Sequence, residues 1–203
     1  MLDICQKESL ILGSHQPILP PLHNTQEMNV QSQVLFVGGR SGVGKSSVAF
    51  ELHAQLAALR IKHCVIEGDS LDLAFPPPWE DHLAERNLAA IWENYRDLGY
   101  RRMIYTNTVS VRFTQELAAA MGDVPRITAV LLTATDETSS ARLRGRIQGS
   151  DFQEHLDRSK AAARELELLT PEWVHRCPTD NRSVREITAD LLALTGWTTE
   201  PAD

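Results

Sequence analysis

The chain has 203 residues, of which 42% are hydrophobic and 23% are charged, as expected for one globular domain with a core of ordinary size. Its formal net charge of −7 argues against an unspecific nucleic-acid binder, because such proteins normally carry a basic face. The sequence contains no apolar run long enough to span a bilayer, and its first residues lack the pattern of a signal peptide. We therefore expect no nucleic-acid or membrane partner.

The three cysteines, Cys5, Cys64 and Cys177, are scattered and show neither a CxxC pair nor metal-ligand spacing. We interpret them as small apolar residues. Since nothing indicates a disulfide framework, a reducing cytoplasm is the expected compartment.

Residues 1–31 show no sustained periodicity and contain three prolines among polar residues, which predicts an irregular N-terminal extension. The domain is predicted to span residues 32–198, followed by a short tail at 199–203. Its first strand is predicted at 33–37, where an almost continuous apolar run is typical of a buried parallel strand. Four further strands are predicted at 61–67, 101–105, 127–132 and 172–177. Helices are predicted at 45–59, 80–98, 111–121, from 136 onward, at 151–168 and at 184–194. Strands that alternate with helices predict an α/β fold, a doubly wound parallel sheet with helices on both faces.

A glycine-rich turn follows the first strand, and Gly39 to Ser46 satisfies the motif G-x-x-x-x-G-K-[ST]. In this phosphate-binding loop, or P-loop, consecutive backbone N–H groups form an anion-binding nest, and the next helix adds its positive end. Lys45 is predicted to reach the outer phosphates and the Ser46 hydroxyl to ligate Mg²⁺. The residues predicted to contact the nucleotide here are Gly39, Ser41, Gly42, Val43, Gly44, Lys45, Ser46 and Ser47. The motif predicts that the chain binds a nucleoside triphosphate with Mg²⁺.

An acid follows the second predicted strand, in Glu67-Gly68-Asp69. Ligands of open parallel sheets bind outside the carboxyl ends of the strands, so Asp69 is well placed for chemistry. The third strand ends in Thr106-Asn107-Thr108, without the carboxylate that orders Mg²⁺ in many P-loop proteins. Asp69 is therefore the best-placed acid, with Glu67 and Asp72 as weaker candidates. Whether it acts as base, metal ligand or both stays open.

Arg142, Arg144 and Arg146 lie within five residues and are followed by glycines. On an acidic protein this cluster favours a mobile lid over phosphates, predicted at 142–158, with Arg142 and Arg146 on one helix face. The alternative is a solvated helix face. The run Pro76-Pro77-Pro78 predicts a stiff extended segment, whose neighbours Phe75 and Trp79 either line a substrate pocket or anchor the loop on the core.

Three segments together resemble small P-loop kinases, the group that contains adenylylsulfate kinase, gluconate kinase, shikimate kinase and chloramphenicol phosphotransferase. They are the P-loop itself, Glu67-Gly68-Asp69, which is similar to an Asp-Gly-Asp motif, and Arg142-Leu143-Arg144-Gly145-Arg146, which resembles an R-L-x-x-R lid segment. The resemblance covers about residues 32–196.

The resemblance implies a five-stranded sheet of order 2-3-1-4-5 and an acceptor pocket between the second strand, the helices after it and the lid. It also implies that adenine lies near the lid and the last strand-to-helix loop, which brings Thr179 and Asp180 among the predicted binding residues. In chloramphenicol phosphotransferase-like enzymes the acid after the second strand takes the acceptor's proton, a role that falls on Asp69 here.

The hypothesis is an ATP- and Mg²⁺-dependent phosphotransferase that moves the γ-phosphoryl group to a hydroxyl of a small metabolite, with Lys45, Asp69, Arg142 and Arg146 as catalytic residues. One alternative is a nucleoside or nucleotide kinase, for which Arg86 and Arg112 are the obvious basic residues. Another is a nucleotide-dependent switch without a small-molecule acceptor. The acceptor, the choice between ATP and GTP, and the oligomeric state, including a homodimer, stay open.

Overall fold

The computed structural model describes residues 31–145 and 152–199, apart from the side chain of Trp79. The predicted extension therefore lies outside the described residues except for Gln31, as do residues 146–151 of the predicted lid and the tail from 200 onward. None of the helices in the two described ranges is long and apolar enough to cross a membrane.

Five parallel strands form one sheet in the order β2-β3-β1-β4-β5. The strands are β1 Gln33–Gly38, β2 Cys64–Glu67, β3 Arg102–Thr106, β4 Arg126–Thr133 and β5 His175–Pro178. The central strand β1 is buried along its whole length, because it has a neighbouring strand on each side and helices above and below. This arrangement confirms the predicted fold class and sheet order.

Six helices cover the two faces of the sheet. They are α1 Lys45–Ala58, α2 Leu83–Asp97, α3 Thr114–Met121, α4 Asp136–Arg144, α5 Phe152–Leu169 and α6 Val184–Thr195. Alternate residues of β1 enter two separate cores: Phe36 packs with residues of α2, α3 and α5, whereas Leu35 packs with residues of α1 and α6. The period of two along a strand explains this division.

Strand β2 begins at Cys64, later than the predicted residue 61, because the end of α1 continues into a capping turn. Arg60 has a left-handed backbone with φ 58°, and the Ile61 N–H donates to the Leu56 carbonyl at 2.9 Å. Strand β5 similarly begins at His175 instead of 172, since Val174 closes a turn on Pro171 at 3.1 Å. Helix α2 begins at Leu83, after a short 3-10 turn at Trp79–Asp81 and a left-handed His82 with φ 49°.

Candidate functional site

The P-loop lies at the carboxyl end of β1, between β1 and α1. Gly44 precedes the first residue of α1 with φ 107°, a conformation that favours glycine. No side chain caps α1, and the first N–H groups of an α-helix have no acceptor within the helix. The first turn of α1 therefore has N–H groups, those of Lys45, Ser46 and Ser47, that are suited to donate to a bound anion.

Lys45 lies across the mouth of this loop. Its Nζ donates to the Gly39 carbonyl at 2.8 Å and to the Thr108 hydroxyl at 3.4 Å. Burial lowers the pKa of Lys45, while the charges of Asp69 and Glu67 act in the opposite direction. The two carboxylates at the end of β2 and just after it thus lie close enough to compensate part of the cost of burying the ammonium group.

The other predicted P-loop contacts are arranged around a turn. The Val43 side chain is buried in the core, its N–H donates to the Arg40 carbonyl at 3.3 Å, and its carbonyl accepts from Arg142 Nη1 at 3.0 Å. The Ser41 carbonyl accepts from the Ser159 hydroxyl at 2.9 Å. Side chains from α4 and α5 thus donate hydrogen bonds to carbonyl groups of the loop. Contact with phosphate stays a prediction for Gly39, Ser41, Gly42 and Val43.

Asp69 lies on a 3-10 turn that directly follows β2, Gly68–Ser70. Its Oδ1 accepts from Asn107 Nδ2 at 2.7 Å and from the Thr108 N–H at 3.3 Å. Because Thr108 also contacts Lys45 through its hydroxyl, one residue joins the predicted acid to the predicted phosphate-binding lysine. No partner of Oδ2 is found among the described residues.

A cavity of about 480 Å³ opens beside Asp69 at the carboxyl ends of β2 and β3. Its wall contains Asp69, Asp72, Leu83, Ala84, Glu85, Tyr105, Asn107, Thr108, Val109, Ser110, Phe113 and Leu117. The cavity lies where the resemblance placed the acceptor pocket relative to β2 and the helices after it. Asp72 is part of its wall, whereas Glu67 is not.

Tyr105 is buried beneath this cavity, with 1% of its surface exposed. Burial raises the pKa of its phenol, and the nearby Asp69, Asp72 and Glu85 charges act in the same direction, so the group stays neutral. Neither predicted role of Phe75 is observed: it is 97% exposed, so it does not pack on the core, and it is not part of the cavity wall.

Arg142 connects three parts of the chain. Besides Val43, its guanidinium donates to the Thr179 hydroxyl and carbonyl, each at 3.0 Å. The observed donors thus contact the P-loop and the loop after β5, and a role of Arg142 toward phosphate stays a prediction. Arg146 lies outside the described residues.

Thr179 and Asp180 hold the loop between β5 and α6. Thr179 is fully buried, and the Asp180 carboxylate accepts from the Thr135 N–H at 3.1 Å and from its hydroxyl at 2.8 Å. Hydrogen bonds from Thr138 and then from Thr135 hold the pKa of the Asp180 carboxyl below its usual value. These contacts fasten the loop to the start of α4, and binding of a base by either residue stays a prediction.

Sequence reasoning missed Arg40, a variable position of the motif. Its side chain is 3% exposed, its Nε donates to the Ser159 hydroxyl at 2.9 Å, and it forms an ion pair with Asp136. Arg40 thereby joins the P-loop to the first residues of α4 and to α5. The sequence carries no local indication of this contact, because the partners lie about a hundred residues away.

The roles of Asn107 and Thr108 were also missed, although the sequence placed them at the end of β3. The prediction considered only a carboxylate at this strand end, whereas the Asn107 amide contacts Asp69 and the Thr108 hydroxyl contacts Lys45. Their place at the carboxyl edge of the sheet was the available indication.

The residues present fit an Mg²⁺ ion held largely by a triphosphate. The described residues contain no cluster of three or more His, Cys, Asp or Glu side chains able to hold a metal ion. Mg²⁺ prefers oxygen ligands and usually takes only one or two from the protein when phosphates supply the rest. The Ser46 hydroxyl and the Asp69 carboxylate, the ligands predicted from the sequence, supply oxygens of this kind, and their role toward Mg²⁺ stays a prediction.

No family model matches the sequence, and no curated protein matches it. Solved structures do. The Mycobacterium tuberculosis APS kinase CysC, in complex with AMPPNP and APS, is 19% identical with a TM-score of 0.53, over 81% of this chain and 97% of that one. The Deinococcus radiodurans tunicamycin resistance protein is 19% identical with a TM-score of 0.58, over 82% and 96%.

A gluconokinase from Sinorhizobium meliloti 1021 is also similar, at 19% identity and a TM-score of 0.52, over 81% of this chain and 91% of that one. These neighbours are P-loop kinases and share the sheet order described above. The chain therefore has the P-loop kinase fold, and the comparisons bear out the predicted resemblance.

Proposed function

We propose that this protein is a small-molecule kinase that transfers the γ-phosphoryl group of ATP, with Mg²⁺, to a hydroxyl of its acceptor. The observation that carries the proposal is the contact of Thr108 with both Lys45 and Asp69. Through it, the lysine of the P-loop is joined to a carboxylate on the wall of a 480 Å³ cavity, close enough for the two charges to interact. The P-loop kinase fold of the neighbours supports the same conclusion.

In the proposed reaction the acceptor oxygen forms a bond to the γ-phosphorus, and the bond from that phosphorus to the bridging oxygen of the β-phosphate breaks. The products are ADP and a phosphate monoester. Such transfer depends mostly on positioning and on stabilising charge. The helix N–H groups and Lys45 hold the phosphates that carry this charge.

Asp69 orients the acceptor hydroxyl and receives its proton. Asn107 and Thr108 occupy Oδ1, which leaves Oδ2 to face the acceptor. A bound Mg²⁺, held through Ser46 and the phosphates, would neutralise charge on the phosphoryl oxygens. Arg142 is held beside the P-loop by Val43 and Thr179, so in this proposal it supports the nucleotide from the lid side.

The proposal is tested by measuring ADP release from ATP and Mg²⁺ with a panel of hydroxyl compounds. A kinase shows release that depends on the acceptor and that is lost in Lys45→Ala. Slow release that no small molecule changes would instead indicate a nucleotide-dependent switch and would overturn the proposal.

A further inference from the structure

The charge of the acceptor cavity indicates which class of acceptor the proposed kinase would bind. Among the described residues its wall carries three carboxylates, those of Asp69, Asp72 and Glu85, and no basic side chain. Like charges gathered around a pocket select ligands of the opposite sign and repel ligands of the same sign.

In the described part of the chain, a lysine or arginine interacts with one of these three carboxylates and not with the other two. Lys45 interacts with Asp69, but Asp72 has neither a hydrogen bond nor an ion pair among the described residues. Glu85 has only His82, at 4.0 Å on an exposed histidine that is charged only when protonated. Two carboxylates of the wall are thus left for a ligand.

The two arginines considered for a phosphorylated acceptor are Arg86 and Arg112, and the Arg112 guanidinium lies 5.3 Å from the centroid of the Phe113 ring. Arg112 is paired with Glu165 at 2.5 Å, and neither it nor Arg86 is part of the cavity wall. A bound metal ion is not favoured as the cation, because the three carboxylates do not form a metal-binding cluster.

Another part of the cavity wall is apolar. Leu83, Val109, Phe113 and Leu117 form it, and Phe113 is 41% exposed. An aromatic ring that is partly open to solvent beside a cavity gains from contact with an apolar group of a ligand.

Resting on the proposed kinase function, we infer that the acceptor is an amino alcohol, a compound with a hydroxyl, a protonated amine and an apolar part. Its hydroxyl lies at Asp69, its ammonium group between Asp72 and Glu85, and its apolar part against Phe113. The ammonium group keeps its proton at neutral pH, so phosphoryl transfer takes place at the hydroxyl and gives a phosphate ester.

Two matched series test the inference. The first is phenylalaninol, N-acetylphenylalaninol and 3-phenyllactate, which share a phenyl ring and a hydroxyl and carry a positive, zero and negative charge. The second is leucinol, N-acetylleucinol and 2-hydroxyisocaproate. Phosphorylation of each by the full chain is followed through ADP release, and ATP binding is measured separately by calorimetry.

The amines are expected to exceed their N-acetyl forms about tenfold in kcat/KM, and the acids are expected to be used least. In the double variant Asp72→Asn/Glu85→Gln the advantage of the amines should disappear, while the KM for ATP stays unchanged. Asp97→Asn, which removes a carboxylate at the end of α2, serves as the matched control.

The cation site is overturned if the neutral or acidic compounds are phosphorylated with the same kcat/KM as the amines and the double variant changes nothing. The kinase proposal is unaffected by that result. ATP binding without phosphorylation of any of the six compounds overturns this inference, and the kinase proposal is then decided by ADP release with the wider panel of hydroxyl compounds.

Discussion

Gly68 and Tyr105 lie in direct contact below the turn that carries Asp69: a Cβ atom at position 68 would lie 2.2 Å from the Tyr105 hydroxyl oxygen and 2.3 Å from its ring carbon Cζ. Tyr105 belongs to the core and cannot retreat. Only a residue without a side chain therefore lets the turn settle on β3 at this point.

Gly68→Ala is expected to destabilise the protein by about 1–3 kcal/mol and to lower turnover, because the turn with Asp69 must move away from Asn107. Urea unfolding and steady-state kinetics measure both effects. In a Tyr105→Leu background the same substitution should cost less. Equal costs in the two backgrounds would show that the contact is not the cause.

Lys45→Ala should lower kcat/KM by a factor of about 100 to 1,000, since it removes a charge directed at the phosphates. Its free energy of unfolding should change little or increase, because burial of the ammonium group is costly. Lys62→Ala is the matched control: that lysine is exposed and donates to the Leu98 carbonyl, away from the P-loop. Unchanged kinetics of the Lys45 variant would contradict the assignment of the loop.

Asp69→Asn is expected to lower kcat about 100-fold or more, as for removal of a general base, and to change the Kd for ATP only two- to threefold. In the proposed mechanism the acid faces the acceptor, whereas the P-loop holds the nucleotide. Asn107→Ala, which removes the amide that holds Oδ1, should give a smaller loss of about tenfold. A loss of ATP affinity equal to the loss of turnover would indicate that Asp69 acts mainly through the nucleotide.

The buried Arg40 makes Asp136 important for stability. Asp136→Ala leaves a guanidinium of 3% exposure with Ser159 as its remaining hydrogen-bond partner among the described residues, which should cost about 1–3 kcal/mol. Arg40→Met in the same chain should recover part of this cost, because it removes the unpaired charge. Urea unfolding of the single and double variants measures the coupling, and Glu137→Ala is the neighbouring control. Additive effects would exclude an interaction between the two residues.

A histidine pair makes stability depend on pH. His63 Nδ1 donates to the Ile61 carbonyl at 2.7 Å, so its Nε2 accepts from His53 Nδ1 at 2.9 Å. Burial lowers the pKa of His63, and the charges of His53 and Arg102 add to this, against the Ile61 hydrogen bond. Below a pH of about 6.5, the ordinary pKa of histidine, the unfolded chain therefore binds more protons at this residue than the folded chain does.

Because the unfolded state takes up the extra proton, the free energy of unfolding should be highest above pH 7 and fall as the pH drops below about 6.5. Urea midpoints between pH 5 and 8 measure this slope. The slope should become shallower in His63→Leu and stay in the control His82→Gln, whose histidine is exposed. An unchanged slope in His63→Leu would assign it to other groups.

The sequence by itself determined the fold and the phosphate-binding end of the site. Apolar runs that alternate with helical patterns define a parallel sheet, and the spacing from Gly39 to Ser46 defines a loop whose function depends on its own backbone. These properties are local, since strand burial and P-loop geometry follow from neighbouring residues. Asp69 could be selected because strands of a parallel sheet end at a common edge.

Only the tertiary structure decided what surrounds those residues. It brought Asn107 and Thr108 to Asp69 and Lys45, Arg40 to Asp136 and Ser159, and three carboxylates and several apolar side chains to one cavity. The physical reason is distance along the chain: these contacts join residues from about 40 to 120 positions apart, and periodicity does not record which side chains meet after the sheet assembles. The phosphate-binding loop can thus be found in the sequence, whereas the charge of the pocket beside it is a property of the folded chain.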